Sequence, residues 1–349
     1  MNFSGKRVLI TGHTGFKGSW LSYWMQHLGA NTLGYSIDIP TSPSHFELLD
    51  LKKIETVFGD IRDFDKLKNV VSSFNPDIIF HLAAQPLVRA SYDLPKMTFE
   101  TNVIGTVNIL EAARATKSVR AVVNVTTDKC YENKEWCWGY RENDPMGGHD
   151  PYSASKGCSE LVTQSYRSSF FSNENFGKTH ECLIASARAG NVIGGGDWAM
   201  DRLIPDMVKS AAESRETEIR NPQSLRPWQH VLEPLSGYIL LGKNLLEGKT
   251  FAATSWNFGP NENSIIDVGE IAKSASELWS KVKINTDKKS LGPHEANLLK
   301  LDSSKAQSLL GWKPKWQIEE TLQRTFHWYK AFYERSEILT KSDFDAFNA

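Results

Sequence analysis

The chain has 349 residues, with 40 Lys and Arg against 41 Asp and Glu and a formal net charge of -1. No basic run stands out, so nucleic-acid binding has no electrostatic support, and no stretch is apolar enough to span a bilayer. The length exceeds a usual single core and predicts two domains, or one domain carrying a large lobe.

Cys130, Cys137, Cys158 and Cys182 are scattered, without C-x-x-C or metal-ligand spacing, and read as free thiols in a reducing compartment. VLITG follows Lys6 and Arg7 directly, with no long apolar region before it, which argues against a signal peptide. The expectation is a soluble, cytoplasmic protein with no metal, nucleic-acid or membrane partner.

Residues 7 to 11 are a short apolar run, the expected first parallel strand. Gly12, Gly15 and Gly18 then open a helix that closes near Gly29. Glycines allow a tight turn and close approach to a pyrophosphate, which sits on the N–H groups of the helix start. The spacing is G-x-x-G-x-x-G, whereas the general fingerprint is G-x-G-x-x-G. A strand before the loop and a helix after it favour a dinucleotide site over a glycine-rich turn without ligand.

A second strand, NTLGYSIDI, ends at Asp38. A carboxylate there accepts from the adenosine ribose hydroxyls and repels a 2′-phosphate, which favours NAD over NADP. Capping a turn is its plainer role. The third strand, ETVFGDI, brings Asp60 and Ile61 toward the adenine edge. NPDIIFHLAA is the fourth, and its end, Ala83–Ala84–Gln85, faces the cofactor. TNVIGTVNILEAARA is a helix, followed by VRAVVNVTTDKCY as the fifth strand and its loop. Thr127, Asp128 and Lys129 therefore lie past a strand's carboxyl end, the edge where open parallel sheets bind ligands. The stretch from Cys130 to Asp150 is aromatic-rich (Tyr131, Trp136, Trp138, Tyr140) and is either a lid or a packed surface loop.

PYSASKGCSELV, residues 151 to 162, begins a helix on which Tyr152 and Lys156 share one face. A tyrosine hydroxyl, with a free pKa near about 10, is a poor base. An ammonium beside it favours the phenolate. Such a pair can take a proton from a sugar hydroxyl; the plain alternative is a half-exposed helix face. HECLIASARAGNVIGGG is a sixth strand and its exit. Beyond Asn191, short elements alternate with turns, TSWNFGP returns as a strand, and IIDVGEIAKSASELW and IEETLQRTFHWYKAFYERS are helices. The fold class is α/β: a Rossmann-type doubly wound parallel sheet over 1–190, with returns from about 231–265. A smaller, discontinuous α/β lobe over 191–349 caps the cleft.

The Gly loop, the Thr-Asp pair, the Y-x-x-x-K arrangement and the length resemble the extended short-chain dehydrogenase/reductase family over nearly the whole chain. GHTGFKGSWL, TTDKCY, ARAGNVIGGGDW and RPWQHVLEP are similar to the nucleotide-sugar 4,6-dehydratases, and within them to the CDP-glucose subgroup. The resemblance implies bound NAD, regenerated each turnover, held by Gly12, His13, Gly15, Phe16, Lys17, Gly18, Asp38, Asp60, Ile61, Leu82, Ala83, Ala84, Gln85, Thr101, Tyr152 and Lys156. It implies that Thr127 bonds the substrate's 4-hydroxyl, Tyr152 is its base, Lys156 holds the nicotinamide ribose, and Asp128 protonates the leaving 6-hydroxyl. It implies nucleotide and phosphate contacts from Asn191, Leu203, Ile204, Pro205, Arg226 and His294. The cycle implied is oxidation at carbon 4, elimination of water across carbons 5 and 6, and hydride return at carbon 6, in deoxyhexose synthesis for surface polysaccharide such as O-antigen.

Two positions depart from the pattern. Lys129 stands where the dTDP-glucose relatives carry glutamate. Its free pKa of about 10.4 opposes a base role without strong perturbation, yet a modest base suffices once carbon 4 is a ketone. The alternatives are a cationic lysine that stabilises the developing enolate and a surface lysine trailing the strand. His13 occupies a loop position that usually holds a small residue, where an imidazole would crowd the pyrophosphate or donate to it. The rival activities are another nucleotide-sugar dehydratase (dTDP-glucose or GDP-mannose), an epimerase on the same fold, and a non-catalytic NAD sensor. The resemblance also implies a homodimer through the Thr101–Ala115 helix and the Tyr152 helix, with a tetramer as the larger alternative.

Overall fold

The structure is a computed structural model and describes residues 3–219, 221–285 and 298–349. The first half alternates β1 (Arg7–Thr11), α1 (Phe16–His27), β2 (Asn31–Ser36), α2 (His45–Leu48), β3 (Ile54–Phe58), α3 (Phe64–Phe74), β4 (Ile78–His81), α4 (Val88–Asp93), α5 (Pro95–Phe99), α6 (Gly105–Ala115), β5 (Ala121–Val125), α7 (Pro151–Ser169) and β6 (Leu183–Ala189). The second half runs β7 (Asn191–Ile193), α8 (Leu203–Ala212), β8 (Glu216–Glu218), β9 (Leu225–His230), α9 (Leu232–Leu246), β10 (Ser255–Phe258), β11 (Ile265–Asp267), α10 (Val268–Leu278), β12 (Lys283–Asn285), α11 (Ile318–Arg335) and α12 (Thr340–Asn348).

Seven strands make one sheet in the order β3-β2-β1-β4-β5-β6-β10, with every pair parallel. A parallel sheet is covered on both faces, so its strands read as unbroken apolar runs. Their side chains still alternate. Val8, Ile10, Ile78, Phe80, Val123 and Val125 join one core with Trp20, Leu21 and Trp24 of α1 and Leu235, Tyr238 and Ile239 of α9. Leu9, Ile79 and Val122 join the opposite core with Leu67 and Val71 of α3 and Ile109 and Leu110 of α6. Strand order reverses between β1 and β4, and such a switch point opens a crevice beyond the strands' carboxyl ends.

A third core gathers Ile204, Met207 and Val208 of α8 with Ile271 and Ala275 of α10 and Phe326, Trp328 and Tyr329 of α11. Two small sheets, β11-β9-β7 and β12-β8, belong to this part. It is tied to the first half through GGGDW. A Cβ on Gly195 would lie 2.0 Å from the Trp328 ring, so only glycine admits that contact. Trp20 of α1 donates to the Gly195 carbonyl at 2.9 Å.

Several elements differ from the sequence expectation. The run HECLIASARAGNVIGGG breaks at Gly190: β6 stays in the large sheet while β7 pairs with β9. The helix expected from Thr101 begins as a π-helical turn, Glu100–Ile104, before α6. IIDVGEIAKSASELW starts as β11 and becomes helical at Val268. Helix α12 had no counterpart in the sequence reading; its Phe344 and Phe347 pack edge-on against Trp24 of α1. Among the described residues no helix is long and apolar enough to cross a membrane. All four cysteines are unpaired.

Candidate active site

A cleft of about 1240 Å³ runs along the carboxyl ends of the sheet and under α8 and β9. At one end lies the Gly loop. A Cβ on Gly18 would lie 2.0 Å from the Gly12 carbonyl, and one on Gly12, whose φ is +73°, would lie 2.7 Å from the Ala83 nitrogen. The loop thus closes on itself and on the chain after β4. Gly15 is different: a Cβ there would meet only the Gly12 carbonyl, at 3.4 Å, so its open side faces the cleft. Helix α1 starts at Gly15 with no side-chain cap and no acidic residue in its first turn. Its first N–H groups are left for an anion.

His13 corrects the sequence expectation. It does not line the cleft. The imidazole is fully buried against Gly34, bonding Ser36 Oγ at 2.8 Å and Thr56 Oγ1 at 3.1 Å. Burial lowers its pKa to about 4, so it is a neutral strut between the loop and β2–β3, and it neither crowds nor bonds a phosphate.

Asp38 lies just past β2 and lines the cleft, exposed, with its carbonyl accepting from Thr14 Oγ1 at 2.6 Å. Asp60 and Ile61 line the same end. The Asp60 carboxylate is engaged by Arg62 at 2.6 Å, which holds it below the usual carboxylate range. Leu82, Ala83, Ala84, Gln85 and Thr101 also line the cleft. Their loop is pinned by Asn102, absent from the sequence reading. Its side chain accepts from Gln85 N at 2.8 Å and donates to Gln85 O at 3.1 Å and Ser155 Oγ at 2.8 Å. One amide therefore joins the loop after β4 to the Tyr152 helix.

Shortly after β5 the chain makes a 3-10 turn, Asp128–Cys130, with Thr127 as its N-cap. Thr127 and Lys129 line the cleft. Asp128 is buried in its wall, accepting from Thr127 Oγ1 at 3.0 Å and Lys129 Nζ at 3.4 Å. Its other oxygen lies against Gly190, where a Cβ would stand 2.8 Å away. Opposite, Asp150 caps α7 by accepting from Ser153 N at 2.9 Å, which fixes the helix start one residue before Tyr152. Tyr152 and Lys156 both line the cleft.

The pair differs electrostatically from expectation. Lys156 turns its ammonium to the Val125 carbonyl at 3.2 Å. Burial pushes the Tyr152 hydroxyl up to about 12, opposed by a hydrogen bond with Thr127 and the charge of Arg202. Burial lowers Lys156 to about 8 against the pull of Glu160. Glu160, one turn below Lys156, is a buried hub: it accepts from Thr126 Oγ1, Ser186 Oγ at 2.6 Å and Arg188 Nη2 at 2.8 Å. Arg188 Nη1 donates to the Tyr131 hydroxyl at 2.6 Å. This network anchors both ends of the Thr127–Lys129 turn to α7. It joins residues 28 apart in the chain, and nothing in their spacing signals it.

Across the cleft, Asn191, Leu203, Ile204, Pro205 and Arg226 all line the wall. His294 lies outside the described residues. Arg202, which the sequence reading passed over, also lines it, with Nη1 on Asp197 at 2.9 Å. Its signal was available as a cation directly before the LIP run. Lys17 lines the cleft, its ammonium 6.0 Å from the Tyr238 ring centroid. The buried Tyr238 hydroxyl has no partner. An uncapped helix start, a glycine open to the cleft, buried cations and an acidic residue past β2 together fit a dinucleotide diphosphate with its adenosine toward Asp38.

Comparison with known proteins agrees with this geometry. The GDP-mannose 4,6 dehydratase family model matches residues 9–325. CDP-glucose 4,6-dehydratase of Salmonella typhimurium is 53% identical over 97% of this chain and 94% of its own length. Among solved structures, the epimerase Mth375 of Methanothermobacter thermautotrophicus superposes with TM-score 0.81 at 25% identity, covering 97% of this chain and 95% of that one. The dTDP-glucose 4,6-dehydratase of Bacillus anthracis, in complex with NAD, superposes with TM-score 0.75 at 22% identity over 95% and 98%, a likeness of fold. The chain therefore belongs to the GDP-mannose 4,6-dehydratase family, the nucleotide-sugar dehydratases of the extended short-chain dehydrogenase/reductases.

Proposed function

We propose that the protein is an NAD-dependent CDP-glucose 4,6-dehydratase, a hydro-lyase converting CDP-D-glucose to CDP-4-keto-6-deoxy-D-glucose and water. The observation that carries this reading is the 53% identity to such an enzyme along 97% of the chain. NAD, when bound, would supply the acceptor for two electrons and a hydrogen from carbon 4 and their donor at carbon 6. The uncapped start of α1, with Gly15 and the Lys17 backbone, would hold its diphosphate, Asp38 its adenosine, and Lys156 its other ribose.

Tyr152 takes the 4-hydroxyl proton, with the Thr127 bond and the Arg202 charge working against its burial. Once carbon 4 is a ketone, the proton at carbon 5 is acidified and passes to a water molecule of the cleft. Lys129, facing the cleft beside Asp128, stabilises the enolate that forms. The proton for the leaving 6-hydroxyl comes from the Asp128–Lys129 pair. Asn191, the start of α8 and Arg226 hold the nucleotide, a guanidinium being suited to a diphosphate. Residues 1–190 with α9 and β10 serve the cofactor, and most of 191–349 serves the nucleotide sugar.

The protein works as a cytoplasmic homodimer in deoxyhexose synthesis. Exposed Ile104 beside α6 and Leu161 of α7, 47% and 54% accessible, support an interface across these helices. The test is turnover of CDP-glucose, dTDP-glucose and GDP-mannose with added NAD, read from the 4-keto product's absorbance in alkali. Product from CDP-glucose with little from the others supports the reading. Product mainly from another sugar overturns the substrate, and bound NAD with no product from any overturns the reaction.

A further inference from the structure

Lys17 occupies the second position of α1, so its backbone belongs to the pyrophosphate loop. Its side chain reaches elsewhere. The charges that act on it are, in order, Arg202, Asp128, Lys156 and Lys129, all at the catalytic end of the cleft. Among the described residues no hydrogen bond or ion pair holds its ammonium, which lies 6.0 Å from the centroid of the Tyr238 ring, at the outer limit of a cation–π contact. The only carboxylate among these neighbours, Asp128, is already shared between Lys129 and Thr127. Three cations and one engaged carboxylate leave the Lys17 charge uncompensated.

A dinucleotide lying from Asp38 to Tyr152 puts its redox ring at that same end. The oxidised ring carries a positive charge and the reduced ring none, while the diphosphate is the same in both. Attraction between Lys17 and the phosphates therefore cancels when the two forms are compared, and repulsion from the oxidised ring remains. We infer that Lys17 sets the redox bias of the bound cofactor, favouring NADH over NAD and so making bound NAD a stronger oxidant toward carbon 4. The inference rests on the NAD reading above. The secondary alcohol at carbon 4 gives two electrons and one hydrogen to the ring and its hydroxyl proton to Tyr152. The same electrons return at carbon 6, so no outside oxidant is needed. The bias holds the reduced form in place while water is eliminated.

Burial, then Arg202, lowers the Lys17 pKa to about 7, so the bias should fade as pH rises. The groups whose charges act on it are Asp128 and Lys129 after β5, Lys156 on α7 and Arg202 before α8, with the Tyr238 ring of α9 beside it. Lys156, lowered to about 8, titrates close by, and variants at Lys17 separate the two.

The experiment is calorimetric titration of NAD and NADH into the nucleotide-stripped, full-length protein, Lys17→Met and Lys17→Arg, from pH 6 to pH 9. The wild type should prefer NADH, more at pH 6 than at pH 9. Lys17→Met should lose about tenfold of that ratio, equivalent to about 30 mV for a two-electron couple, together with most of its pH dependence. Lys17→Arg should keep the bias and lose its pH dependence. A Lys17→Met ratio within about twofold of wild type, with both nucleotides still bound, overturns the inference. If Lys17→Met binds neither, Lys17→Arg decides: a ratio still falling with pH as in the wild type overturns it. A wild type that binds neither form overturns the NAD reading instead.

Discussion

The two walls of the cleft are built on opposite plans. The α7 wall is closed: Asn102, Glu160, Arg188 and Asp150 fix Tyr152, Lys156 and the Thr127–Lys129 turn through short hydrogen bonds. The wall of α1 and α8 is open. It presents an uncapped helix start, a Lys17 unpaired among the described residues and an Arg202 held by one nitrogen. Chemistry that tolerates little displacement stands on the side whose polar groups are already satisfied. On the proposed reading, the groups that receive a diphosphate are left for the ligand to satisfy. Each wall is thus complete at a different moment, one on folding and the other on binding.

Four variants would break or sharpen this contrast. Tyr152→Phe should cut turnover about a thousandfold while NAD binding persists, as measured by steady-state kinetics and calorimetry. A large loss of NAD affinity would mean that the closed wall also carries the cofactor. Glu160→Gln leaves the buried Arg188 without its carboxylate. It should cost about 3–5 kcal/mol of stability in urea denaturation; a loss below about 1 kcal/mol would show that wall to be less coupled than its hydrogen bonds indicate. Arg226→Met should raise KM for CDP-glucose about tenfold with kcat little changed, and an equal fall in kcat would place Arg226 at the reacting carbons.

The smallest effect is expected at Asp343, on the helix that braces α1. Burial raises its pKa from 3.8 to about 7, with Arg324 pulling the other way. For an acid raised in the folded state, the stability it contributes is full below the unfolded value and is lost as pH rises through about 7. Asp343→Asn should flatten that decline by about 1 kcal/mol in thermal melts from pH 5 to pH 8. A variant whose melting still falls with pH as steeply as wild type would remove Asp343 from the account.

Legibility in the sequence follows the same division. The Gly loop, Asp38, the Thr-Asp-Lys run and Y-x-x-x-K could be read because each lies within one strand–loop or one helical turn. The Glu160–Arg188 and Asn102–Ser155 contacts could not, since they join residues 28 and 53 apart through the fold alone. His13 was misread for another reason. Its place in the loop fixes its backbone, while the missing side chain of Gly34 decides which way the imidazole turns. The nucleotide side was the least legible, because β7, β8, β11 and β12 have three residues each, too short for a period to show.

The packing of Phe344 and Phe347 on Trp24, with Trp328 seated over Gly195, has a bearing on how the protein is made. Helix α1 leaves the ribosome well before the aromatic groups of α12 that pack against it. The packing behind the Gly loop is therefore completed only once α12 has been made. A substitution that strains α12 would act far back along the chain, on the grip of the Gly loop.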